Sequence, residues 1–96
     1  MKKSNQRHLK EILKEMVEFY RLKPGLHQAR IKTAWRDLMG ATIAGYTQAI
    51  YLRNRKLYLT IDSPSLRQEL SMSRDKIRGI LNEELQEEYI EEVIIR

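Results

Sequence analysis

The sequence predicts an α+β domain: a three-stranded sheet covered by helices, with one additional helix at the N-terminal side. Three observations carry this. Leu57, Leu59 and Ile61 alternate with Tyr58, Thr60 and Asp62, as a strand with one buried face requires. Apolar residues recur at helical spacing before this strand and again after it. Val93 and Ile95 then alternate with Glu92, Ile94 and Arg96, so a closing strand over residues 90–96 follows the second helical stretch. A chain of 96 residues makes a single domain with one core, burying roughly 60 to 65 per cent of its unfolded surface.

The first helix is predicted over residues 6–22, where Leu9, Ile12, Leu13, Met16 and Tyr20 form one apolar stripe. At about 100° per residue, Lys3, Arg7, Lys10, Lys14 and Arg21 gather on a second stripe, with Glu11, Glu15 and Glu18 beside it. Lys23-Pro24-Gly25 is expected to break this helix, because proline removes a donor and glycine permits a turn. A second helix follows over residues 26–39, burying Ile31, Ala34, Trp35 and Leu38, with Gly40 at its C-terminal cap. Trp35, the only tryptophan, reads as a core anchor rather than a stacking platform. Residues 41–47 read as a short helical turn leading to a strand.

A hairpin is predicted from residues 49–53 and 56–62 around Asn54-Arg55, with Arg53, Arg55 and Lys56 making its tip basic. Tyr51 and Tyr58 are expected as a cross-strand pair on the sheet surface. Ser63-Pro64 opens a third helix, with Ser63 as N-cap and Leu66 and Leu70 facing inward. Ser73 is expected to cap a fourth, which carries Ile77, Ile80, Leu81 and Leu85 on one side and Asp75 in its first turn.

Charge is distributed unevenly. Residues 1–36 hold ten Lys/Arg against three Asp/Glu, residues 37–63 three against two, and residues 64–96 five against eight. The overall balance of +5 therefore conceals a basic N-terminal third and an acidic C-terminal third. Such a polar chain is expected to attract phosphates on one face and repel them on another. The predicted nucleic-acid contacts are Lys3, Arg7, Lys10, Lys14, Arg21, Arg53, Arg55 and Lys56.

Several classes of chemistry find no residues. The absence of cysteine excludes disulfides, thiolate metal sites and thiol catalysis. His8 and His27 lack partners at ligand spacing, so no metal site is expected. Gly40 and Gly45 are not followed by Lys-Ser/Thr, so the nucleotide-cradling loop is missing and no cofactor is implied. The serines carry no nucleophile motif, and the C-terminal acids read as a solvated surface rather than a paired acid and base, so no enzyme is expected. Between Leu9 and Tyr20 the apolar run is interrupted by Lys10, Glu11, Lys14, Glu15 and Glu18, which fits neither a signal-peptide core nor a membrane span. A cytoplasmic protein is expected.

The run Trp35-Arg-Asp-Leu-Met-Gly40, the strand Leu57 to Asp62, the Gln68-Glu-Leu70 helix start and the closing strand Ile90-Glu-Glu-Val-Ile-Ile-Arg96 together resemble the DciA family. The resemblance rests on the order and spacing of these pieces and covers nearly the whole chain. It implies a bacterial accessory factor that binds the replicative DnaB-type helicase and helps place it on DNA, without a small-molecule substrate. It also implies a domain similar to a type II KH module, whose nucleic-acid loop G-x-x-G joins two helices. Here that joint reads Ser71-Met-Ser-Arg74, and Leu66 stands where many family members carry tryptophan. The long tail of some members is expected to be missing here. Nucleic-acid contact is therefore expected to rely on side-chain charge. The alternative reading is a KH-like RNA-binding protein linked to the ribosome.

Overall fold

A computed structural model describes residues 2–96, with the side chains of residues 8–18 and 22–96. The elements run α1 (Lys2–Tyr46), β1 (Thr47–Arg53), β2 (Lys56–Ile61), α2 (Pro64–Ser71), α3 (Arg74–Leu85) and β3 (Glu92–Ile95). The fold is the expected α+β one.

The largest departure from expectation lies at Pro24, where α1 continues as helix instead of breaking. Proline's fixed φ of about −65° is itself helical, so its cost is the missing donor and ring crowding rather than a wrong backbone angle. Lys23 and His27, one turn apart and on either side of Pro24-Gly25, both grip Glu87 and hold this turn in phase. The actual interruption is Gly40, whose φ of 85° and ψ of 168° divide α1 into a long helix and a last short one ending at Tyr46. A φ in this range suits glycine because it has no Cβ to clash, and the expected cap at Gly40 and helical turn after it are both present.

The sheet has the order β1-β2-β3. β1 and β2 are antiparallel, with Tyr51 opposite Tyr58 and Arg53 opposite Lys56. Asn54 and Arg55 both have positive φ, 52° and 62°, which gives the tight turn whose twist matches a hairpin. β3 runs parallel to β2, with Val93 opposite Leu57. A parallel neighbour needs a crossover, and α2 and α3 supply it. Ser63 caps α2 by accepting the Leu66 amide, as expected. Ser73 stands at the start of α3 but its side chain makes no capping bond, because its backbone is not extended there (ψ 21°).

The core joins Ile31, Ala34 and Trp35 of α1 to Leu57, Leu59 and Ile61 of β2, with Leu70, Ile77, Leu81, Leu85, Ile90 and Val93. Trp35 is 2% exposed, and its indole Nε1 donates to Thr47 Oγ1 at 2.9 Å. Leu38 was expected in this core and is 46% exposed. Met39 and Ile43, on either side of the Gly40 bend, pack against that part of the core instead. Ile80 is only half-buried, and Ile90 is buried in the loop before β3 rather than within the strand.

Candidate nucleic-acid interface

At about 1.5 Å per residue, the stretch of α1 before Lys23 reaches roughly 30 Å from the sheet, and the molecule measures 65 × 21 × 18 Å. All described side chains from His8 to Glu18 are exposed. The helix therefore forms an arm. Its stripe of Leu9, Ile12, Leu13 and Met16, joined by Val17, is open to solvent, with Leu9 58% exposed. At about 100° per residue, this stripe lies in line with His27, Ile31, Ala34 and Trp35, the residues by which the same helix packs on the domain. The arm thus carries the helix's packing face beyond the domain.

Lys10 and Lys14 are exposed on an adjoining stripe of the arm. Lys3, Arg7 and Arg21 lie outside the residues whose side chains the structure describes. Because the helix runs unbroken through Pro24, its phase is kept, and Lys32 and Arg36 continue the basic stripe along the exposed side of the domain. Sequence reasoning missed these two because it ended one helix and started another at residues 23–25. The signal was their spacing in phase with Lys10 and Lys14.

The hairpin tip is near the root of the arm: Gln28 on α1 donates to the Ile50 carbonyl at 2.9 Å and accepts the Leu52 amide at 2.6 Å. Of the three tip cations, Arg53 and Arg55 are exposed. Arg55 also donates to the carbonyls of Tyr89 and Glu88 at 3.0 and 2.7 Å, lies 5.4 Å from the Tyr89 ring centre and pairs with Glu91 at 3.6 Å. Lys56 pairs with Glu92 at 3.6 Å. The acidic C-terminal segment thus folds onto the tip, so Arg55 and Lys56 are partly neutralised while Lys10, Lys14, Lys32 and Arg36 stand along one exposed helix side.

Glu87 fixes the root of the arm. It is paired with Lys23 and bonded to His27 Nε2 at 3.0 Å, and the His27 ring meets Tyr89 edge-on at 4.6 Å. The Lys23 ammonium, and next the His27 ring, hold the Glu87 carboxyl below its ordinary range.

At the joint between α2 and α3, two backbone amides already have partners. Met72 N–H bonds to the carbonyls of Gln68 and Glu69, and Ser73 N–H to that of Leu70. Arg74 Nε donates to the Ser71 carbonyl at 3.1 Å. Those two amides are therefore not offered to a phosphate. The shallow depression beside the joint sets Arg74, Lys76 and Arg78 against Glu91 and Glu92, giving it mixed charge. Among the described residues, no group of three His, Cys, Asp or Glu is placed to hold a metal ion, and no helix is long and apolar enough to cross a membrane.

A family model described as "Dna[CI] antecedent, DciA" matches residues 8–95, nearly the whole chain. No curated protein and no solved structure matches it.

Proposed function

The chain belongs to the DciA family of replication proteins associated with loading of the DnaB-type helicase, and from that membership we propose that it binds the helicase itself and assists its placement on DNA. It does so as a cytoplasmic binding protein rather than an enzyme, and it holds nucleic acid weakly, without reading sequence. The observation that carries this reading is the α1 arm with two adjoining stripes. An exposed apolar row at helical spacing suits insertion into a groove on a protein partner. A row of cations beside it suits phosphates, which release counterions on contact without conveying base identity. One helix thereby holds helicase and strand side by side. The occupied Met72 and Ser73 amides, in a joint that carries neither glycine, weigh against readout of RNA in the KH manner.

The test is co-purification with the cognate replicative helicase, alongside DNA binding at graded salt. Lys10→Glu, Lys14→Glu and Lys32→Glu together should weaken DNA retention and flatten its salt dependence while helicase capture persists. Leu9→Asp with Leu13→Asp should do the reverse. A folded wild-type chain that captures no helicase with or without DNA, yet binds RNA at moderate salt, would be an RNA-binding protein instead.

A further inference from the structure

The sheet face turned away from the helices carries a built aromatic pair. Tyr51 and Tyr58 stack with ring centres 4.9 Å apart and planes 10° from parallel. Arg96 is held beside β2 by backbone bonds to Leu59 and Ile61, both 2.9 Å. Its guanidinium lies 5.1 Å from the Tyr58 ring centre and 5.9 Å from that of Tyr51, and it donates to the Tyr51 hydroxyl. Arg53 and Lys56 form the next cross-strand row on the same face, about 7 Å along the strands.

The core cluster explains why this face is open. Leu57, Leu59 and Ile61 point to the opposite side, where Trp35, Ile77 and Leu81 cover them. Both tyrosines are half-buried, held by each other and by Arg96. Within this row and the Arg53 row, Glu92 is the single acid; it pairs with Lys56 at 3.6 Å, and with Arg53 and Arg96 the face keeps a net charge of +2.

We propose that this face is a binding site for single-stranded DNA, in which bases stack on the Tyr51–Tyr58 pair while Arg53, Lys56 and Arg96 hold the flanking phosphates. Paired rings with cations at their margins match what an unpaired strand offers, namely flat base faces along a charged backbone. A duplex hides its base faces inside its own stack and gains nothing from the rings. The choice of DNA rests on the helicase-loading reading above, whereas the stacking site itself rests on the sheet geometry.

The test is titration of a labelled single-stranded oligothymidylate at several salt concentrations, with the proton spectrum of the tyrosine rings followed in parallel. Tyr51→Thr with Tyr58→Thr, which keeps strand propensity, should weaken binding roughly tenfold or more at every salt concentration, leaving the salt slope unchanged. Arg53→Gln with Lys56→Gln should lower the slope. In the wild type, the ring protons of both tyrosines should move upfield on adding the oligonucleotide. Should the threonine pair fail to fold, those ring shifts and the variant Arg96→Glu, which keeps both rings, decide the matter. Unmoved ring protons, binding within twofold of wild type in the threonine pair, or preference for a duplex or for RNA of equal length would overturn the proposal. Helicase capture is measured separately on the same variants and should not change, so loss of the stacking site and loss of the helicase reading give different results.

Discussion

Asn82 and the backbone of Ile90 exchange two hydrogen bonds: Nδ2 donates to the Ile90 carbonyl at 3.0 Å and Oδ1 accepts its amide at 2.8 Å. Asn82 is the one buried polar side chain among the described residues, and the exchange ties the loop after α3 back onto that helix. It also seats Ile90 in the core and sets the start of β3. Asn82→Ala should cost about 2 kcal/mol or more, since it strands both an amide and a carbonyl away from water. Asn82→Asp keeps the acceptor but turns an oxygen toward the Ile90 carbonyl, so it should recover only part of the loss. Urea denaturation of the three proteins checks the order.

Trp35 links the two parts of α1 across the Gly40 bend. Its indole donates to Thr47 Oγ1, which donates in turn to the Ile43 carbonyl at 2.8 Å. Trp35→Ala should cost about 3 to 5 kcal/mol through the cavity it leaves. Thr47→Val leaves the indole N–H without its partner and should cost about 1 to 3 kcal/mol. Tryptophan emission follows unfolding of the second variant, and far-ultraviolet circular dichroism that of the first. An unchanged midpoint for Trp35→Ala would remove the ring from the core.

Much of the fold was legible because its signals are local. The alternation of Leu57, Leu59 and Ile61, the Ser63-Pro64 start and Gly40 each report on a few neighbouring residues, and each is found where it was expected. Pro24 misled because a proline's effect on a helix depends on distant support, here Glu87, sixty residues on from His27 in sequence. Asn82 gave no signal, since its role depends on a loop folding back over α3. Leu38 has the right helical phase for the core, but phase alone does not reveal the bend that follows it. Of the candidate interface, the stripe of Lys10 and Lys14 was readable from spacing, Lys32 and Arg36 were hidden by the break expected at Pro24, and neutralisation of Arg55 and Lys56 by Glu91 and Glu92 follows from the pairing of β2 with β3.

Glu87 gives the root of the arm an acid-sensitive contact. Its carboxyl is held below the ordinary value of 4.5 by Lys23 first and His27 second. A group whose folded value is lowered adds stability that is complete above its ordinary value and fades as pH falls through the lowered one. The stability difference between wild type and Glu87→Gln should therefore be steady above about pH 5 and shrink on further acidification. High salt should reduce it throughout, since the pair is partly exposed. A difference that grows in acid would contradict this assignment.

Pro24→Ala tests the continuity of α1 most directly. In a helix interior, proline is less favourable than alanine by about 3 kcal/mol, because it lacks a donor and crowds the preceding turn. Pro24 is exposed, so alanine at this position loses no core contact and restores one backbone bond. If α1 passes through residue 24 as helix, the variant should gain helical circular dichroism and resist thermal unfolding better than wild type. If the chain instead turned at Lys23-Pro24-Gly25, alanine would gain no helical bond there, and removing the proline would loosen the turn by widening the unfolded ensemble. A melting temperature at or below that of wild type would therefore place a turn at Pro24. It would also separate the basic stripe of the arm from Lys32 and Arg36, which share a face with Lys10 and Lys14 only along an unbroken helix.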